Sequence, residues 1–243
     1  MTARRRADVL LVERGLFESR AKAQAAIAAG LVVADGVPVR RPSDTIAADA
    51  VLQGTPEHPW VSRGGMKLSP ALDRFGFDPA GRACLDVGAS TGGFTEVLAA
   101  RGARRVYAVD VGTGQLHAKL KAMSTVISLE GTDIRSLDAS RLPEPPDFVT
   151  IDASFISLKL VLPPALALTR PPAQLVALIK PQFEVGRGGT KKGIVSDPAA
   201  HQAVCDDIAA FVRSLGWTVA GIFASPILGG DGNREFFVGA RRD

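Results

Sequence analysis

The residue types best suited to chemistry sit at the ends of apolar runs. Cys84–Phe94 reads C-L-D-V-G-A-S-T-G-G-F. A strand carries Asp86 into a turn holding Gly88, Ser90, Gly92 and Gly93, and Phe94 opens a helical stretch. That layout offers bare backbone N–H groups to a nucleotide-like ligand at the carboxyl end of an open α/β sheet. A second strand, Arg105–Val109, ends on Asp110, about twenty residues further on, where a carboxylate grips a ribose diol. The turn matches neither G-x-G-x-x-G nor the Walker A pattern, which needs a lysine after its last glycine. Asp86 would repel a pyrophosphate, whereas S-adenosylmethionine carries a sulfonium and an ammonium that suit it. The plainer reading is a strand–helix joint whose glycines serve packing alone. Asp133, after a third strand, is placed either to accept from an adenine amino group or merely to cap a helix.

Two later strands end in a second constellation. Asp152 closes one in I-D-A-S-F-I-S-L, and Lys180 closes another in L-I-K-P-Q-F-E. A lysine ending an apolar run is costly to bury unpaired, and Asp152, on the adjacent strand in the expected order, is its natural partner. Beside a methyl donor such a pair points to ribose O-methylation. A ribose hydroxyl is a poor nucleophile and needs a base as it attacks the methyl group in line. An amine serves once burial and nearby positive charge favour its neutral form. On these residues alone a structural ion pair is an equal alternative.

Repeated strand–helix units position these groups. Strands are expected at 83–87, 105–110, 126–129, 147–152 and 173–180, with helices near 94–101, 114–123 and 157–168. A helix over 198–215 precedes strands at 217–223 and 234–240. The fold expected is α/β, a doubly wound Rossmann-like sheet with antiparallel edge strands. A small α+β unit comes first. Asp8 is expected to cap a helix through Glu13, Ser19 to cap Arg20–Ala29, and Asp35-Gly36 to turn a hairpin of type I′. The boundaries expected are 1–59, a linker at 60–64 and a larger domain at 65–243.

Composition limits the classes. At 243 residues, 46% hydrophobic and 22% charged, the chain is an ordinary globular protein. Its net charge of +4 suits a polyanionic partner. The apolar run Val9–Val12 is too short for a secretory signal, and no stretch matches a membrane span, so a cytoplasmic protein without membrane association is expected. Cys84 and Cys205 read as reduced and buried, and His58, His117 and His201 lack ligand spacing, so no metal is expected.

The chain resembles the TlyA family of ribosomal RNA cytidine 2′-O-methyltransferases, also called haemolysins. The resemblance rests on 14–23, V-S-R-G-G-M-K-L (61–68), D-V-G-A-S-T-G-G-F-T (86–95), 109–117, D-A-S-F-I-S-L (152–158), I-K-P-Q-F-E (179–184) and N-R-E-F-F (233–237). It implies a class I methyltransferase domain similar to FtsJ, preceded by an S4-type RNA-binding module, with S-adenosylmethionine as cofactor and ribosomal RNA or subunits as partner. It also implies a tetrad of Lys67, Asp152, Lys180 and Glu235, with Lys180 as base. Alone, Lys67 reads as a solvated helix lysine and Glu235 as an edge-strand charge. The cofactor set expected is Asp86, Gly88, Ser90, Gly92, Gly93, Phe94, Asp110 and Asp133. The RNA set is Arg4, Arg6, Arg14, Arg20, Lys22, Arg63, Lys191 and Lys192, the last two in a basic loop at 186–193. Phe155 is a candidate to stack on an extruded cytosine, with core burial the plainer alternative. Only eight residues follow Glu235, which favours large-subunit RNA, with the small subunit as alternative. A monomer is expected. The competing readings are a non-catalytic assembly factor and a membrane-active haemolysin.

Overall fold

A computed structural model describes residues 3–186 and 189–243. The chain divides into two compact units, Met1–Pro59 and Trp60–Asp243.

In the first unit β1 (Arg4–Arg6) pairs antiparallel with β4 (Thr45–Ala47), and β2 (Val32–Ala34) lies between β3 (Val37–Pro38) and β5 (Leu52–Gly54). Helices α1 (Ala7–Glu13) and α2 (Arg20–Ala28) pack Leu11, Ala26 and Ile27 against Phe17 and Val32. Ser19 caps α2 as expected, its Oγ accepting from Lys22 N–H at 3.3 Å. Asp35 and Gly36 both take positive φ, the signature of a type I′ turn. Asp8 corrects its expected role. Arg6 holds the N-cap position, and Asp8 lies fully buried in the first turn, accepting from Arg6, Arg20 and Gln24 side chains. A buried carboxylate needs such donors, and a cap would have left it half in water.

In the second unit a seven-stranded sheet has the order β11-β12-β10-β9-β6-β7-β8. Its strands are β6 (Ala83–Val87), β7 (Arg105–Asp110), β8 (Val126–Glu130), β9 (Phe148–Ile151), β10 (Ala173–Ile179), β11 (Thr218–Ala224) and β12 (Phe236–Arg242). β8 through β10 pair in parallel; the final strand slots antiparallel between β10 and β11. Alternation along the strands feeds two cores. Val106 and Ala108 join α3 (Gly64–Phe75) and α4 (Gly93–Ala100), while Tyr107 and Val109 join α6 (Leu158–Ala167) and α8 (Pro198–Ser214). The short helices α5 (Ala118–Lys121) and α7 (Pro181–Glu184) complete the set.

Two local differences from the sequence reading have physical causes. The helix expected over 114–123 shrinks to α5, because side-chain carboxylates capture the backbone donors before it. Glu130 Oε1 accepts from Gln115 and Leu116 N–H at 2.6 and 2.9 Å, and Asp110 Oδ1 accepts from Gly112 N–H at 2.7 Å. Conversely, α3 forms despite Gly64, Gly65 and Pro70, since it buries Leu68, Ala71 and Leu72 completely. Residues 60–64, expected as a linker, fall within the compact unit Trp60–Asp243.

Candidate active site

At the carboxyl edge of the sheet Gly88 adopts φ +81°, and a Cβ there would lie 2.5 Å from the Asp152 carbonyl oxygen. Only glycine allows the ends of β6 and β9 to approach this closely. Ser90 N–H donates to Asp110 Oδ2 at 2.8 Å, so Asp110 braces the glycine turn with one oxygen and the loop after β7 with the other. Asp110 faces a cleft of about 540 Å³ whose walls include Val87, Gly88, Val111, Ile134 and Ile156. These walls form an apolar slot suited to a flat base, and each Asp110 oxygen keeps a lone pair for a diol. An adjoining cleft is lined by Gly88, Ser90, Gly93, Phe94, Lys67 and Asp152. Gly92 lies outside both linings; a Cβ on it would strike Leu120. Gly93 packs against Ser62 and Gly65, which brings the start of α3 over the turn.

Asp86 corrects the reading that gave it the ligand's positive end. Its exposure is zero, and it lines neither cleft. Its oxygens accept from Thr95 Oγ1 at 2.6 Å and Thr150 Oγ1 at 2.9 Å. Burial pushes its carboxyl up to about 7 despite those hydrogen bonds. Asp133 lines the larger cleft and also caps the 3₁₀ turn Ile134–Ser136. The Arg135 guanidinium, then its backbone N–H, hold the Asp133 carboxyl below the usual range.

The four tetrad positions converge as two buried ion pairs. Lys67, on α3, donates from Nζ to Glu235 Oε2 at 2.7 Å. Lys180, at the end of β10, places Nζ 2.6 Å from Asp152 Oδ1 and donates to Ser154 Oγ at 2.7 Å. Lys67, Lys180 and Glu235 are each less than a tenth exposed. Both lysines line the cleft that holds Asp152 and Phe94, and both also line a pocket of about 440 Å³ with Glu235 and Phe155. The pairs therefore meet one continuous surface beside the slot that Asp110 faces. Burying two ammonium groups is tolerable only because each has a carboxylate in contact.

Several residues of this surface were not legible in sequence. Ser154 directs Lys180. Asp231 lines the tetrad pocket; burial opposes its charge, but Asn233 and the field of Lys180 hold its carboxyl below the ordinary range. Gly229 leaves room for the Glu235 carboxylate, since a Cβ there would meet Glu235 Oε1 at 2.7 Å and displace it. Ser154 follows Asp152 by two positions, a cue in the motif itself; the other two had none. Phe155 is not core: it is 91% exposed, holds φ +63°, and lies 5.1 Å from the Phe183 ring at the mouth of both clefts.

The basic residues of the first unit are engaged locally but half-exposed. Arg6 and Arg20 bind Asp8, Lys22 binds Glu18, and Arg4 and Arg14 donate to the carbonyls of Thr45 and Ala48. In the second unit Arg63 donates to the Leu228 carbonyl at 3.0 Å, and Lys191 and Lys192 are exposed. Arg187 and Gly188 of the basic loop lie outside the described residues. Among the described residues no acidic, histidine or cysteine cluster is arranged to hold a metal, and no helix is long and apolar enough to cross a membrane.

The sheet order, the glycine turn and the slot beside it define a methyltransferase. Residues 60–242 match the FtsJ-like methyltransferase family, and residues 5–52 match the S4 domain. The 16S/23S rRNA (cytidine-2′-O)-methyltransferase TlyA of Mycobacterium tuberculosis is 45% identical over 99% of this chain and 91% of its own length. The 23S rRNA (cytidine-2′-O)-methyltransferase TlyA of Campylobacter jejuni is 35% identical over 81% of this chain and 76% of its own. A solved chain from Streptococcus thermophilus, provisionally named a hemolysin, superposes with TM-score 0.78 at 40% identity, covering 100% of this chain and 90% of that one. The present chain belongs to the TlyA family, in which an FtsJ-like methyltransferase domain follows an S4 domain.

Proposed function

We propose that the protein transfers a methyl group from S-adenosylmethionine to the 2′-hydroxyl of a cytidine in ribosomal RNA. The observation that carries this reading is the pair of buried lysine–carboxylate contacts opening onto one surface beside the adenosine-shaped slot. The slot fits the cofactor: Val111, Ile134 and Ile156 take the adenine, and Asp110 takes the ribose diol. When bound, the cofactor supplies an electrophilic methyl group.

The chain's own residues do the rest. Asp152 and Ser154 fix Lys180 Nζ where it receives the proton of the attacking hydroxyl in its amine form. Lys67, neutralised by Glu235, donates hydrogen bonds to the target ribose and keeps it in line. Phe155, exposed and held at a positive φ, stacks on the extruded base. Positioning of this kind supplies roughly 7–11 kcal/mol in the best-oriented cases. Large-subunit RNA is the proposed substrate because 23S RNA is common to the names of both TlyA relatives.

The test is transfer of labelled methyl from S-adenosylmethionine to purified small and large subunits lacking the modification, with wild type and Lys180→Ala in parallel. Label in large-subunit RNA with wild type only, mapped to a cytidine 2′-O, is expected. Label confined to the small subunit would reassign the substrate. Cofactor binding without label in either would favour a non-catalytic assembly role.

A further inference from the structure

A cleft of about 630 Å³ in the second unit is separate from the tetrad pocket and shares a wall with it. Two segments make that partition. From 190–196 and 228–235, Thr190, Gly193 and Glu235 face the tetrad pocket, whereas Ile194, Val195 and Arg234 face the larger cleft. Asn233, 1% exposed, stitches the segments together: Oδ1 accepts from Val195 N–H at 3.0 Å, and Nδ2 donates to Gly193 O at 2.9 Å. The partition is rigid at the position that matters next.

Arg234 stands between buried Asn233 and buried Glu235 and is itself exposed. Its neighbours fix where its side chain leaves the backbone. Among the described residues it makes no hydrogen bond, ion pair or ring contact, unlike Arg63 and Arg135, which are both engaged. An unpaired guanidinium on a rigid wall presents a forked donor set that matches a phosphate. Behind it stand the apolar side chains of Ile194, Ile222 and Phe236, the last packed at 5.4 Å against His201, while Ser196 and Asp206 also line the cleft. Its polar edge holds Gln202, which donates to Asp206 Oδ1 at 2.9 Å. A cation at the rim, an apolar face and a hydrogen-bonding edge are together the chemistry of a nucleotide site.

We propose that this cleft receives a nucleotide adjoining the methylated one, its phosphate on Arg234 and its base against Ile222 and Phe236. This rests on the reading that the tetrad pocket takes a ribose of RNA. A chain whose target ribose lies in the tetrad pocket, which Glu235 lines, crosses the partition at Arg234, the next residue. The second site would fix the direction of the strand and the sequence context of the target.

The test uses the full-length protein and the ribosomal subunit that the wild type labels, with two variants that perturb the cleft differently. Arg234→Ala is expected to raise the half-saturating RNA concentration about tenfold and to lower the slope of log affinity against log salt by about 0.7. S-adenosylmethionine affinity and melting temperature are expected to stay unchanged. Ala224→Trp fills the cleft from an exposed strand end without altering charge. It is expected to weaken RNA binding at an unchanged salt slope, and an abasic nucleotide beside the target is expected to cost the wild type far more than Ala224→Trp. Wild-type RNA affinity in both variants, with methyl transfer intact, would overturn the assignment. So would a loss of cofactor binding or melting temperature in Arg234→Ala, which would mark it as structural. A wild type that labels no RNA at all would instead overturn the methyl-acceptor reading, and the cleft assignment with it.

Discussion

Glu235→Gln isolates the electrostatic cost of the buried tetrad. The Lys67–Glu235 contact is 2.7 Å, with side chains 10% and 4% exposed, so solvent screens it little. Replacing the carboxylate by an amide keeps the shape and leaves the Lys67 ammonium uncompensated in the interior. Breaking one partner of such a pair costs about 3–5 kcal/mol. The amide still accepts one hydrogen bond, which places the expected loss near 3 kcal/mol. With a urea dependence of roughly 2 kcal/mol per molar, the unfolding midpoint falls by about 1.5 M. Both tryptophans, Trp60 and Trp217, lie in the second unit, so tryptophan fluorescence reports that unit alone. Adding Lys67→Met removes the stranded charge, and the double variant is expected to recover to within about 1 kcal/mol of wild type. Methyl transfer is expected to be lost in both. If the double variant is no more stable than Glu235→Gln, the loss does not come from a stranded charge and the reasoning fails.

Gly229→Ala should cut methyl transfer strongly while sparing cofactor affinity, because its Cβ would displace Glu235 Oε1; wild-type turnover would show that the loop relaxes freely. Phe155→Ala should leave the melting temperature unchanged, since the ring is 91% exposed, while reducing RNA methylation at least tenfold; a drop in melting temperature with normal turnover would make it a packing residue. Asp86 gives a pH signature. Its folded-state value near 7 exceeds the ordinary 3.8, so the folded protein holds a proton that the unfolded chain has released. Stability should therefore fall as pH rises from about 4 to 7 and level off above, by at most about 4 kcal/mol from a gap of about three pH units. Asp86→Asn should remove that slope in urea unfolding series; an unchanged slope would mean that Asp86 is already ionised in the fold.

The parts legible in sequence were those with a local rule. Near-continuous apolar runs placed the central strands within a residue or two, because a strand buried on both faces must be apolar along its length. Asp35-Gly36 and Ser19 were readable because a type I′ turn and an N-cap demand particular residue types at particular offsets. The Lys180–Asp152 contact followed from strand order plus the cost of a buried ammonium. What stayed hidden depends on partners distant in sequence. Nothing near residue 86 reveals Thr150, and without Thr150 a buried Asp86 cannot be told from a ligand-facing one. Asp86 and Asp110 occupy the ends of adjacent strands and share one residue type, yet one is sealed beneath the turn and the other braces it from outside. Depth along the strands accounts for that division: Asp86 lies beside Ala108 and points among the α4 side chains at Thr95, whereas Asp110, on the same face but two residues further along and the last of β7, runs past the packed layer into the cleft.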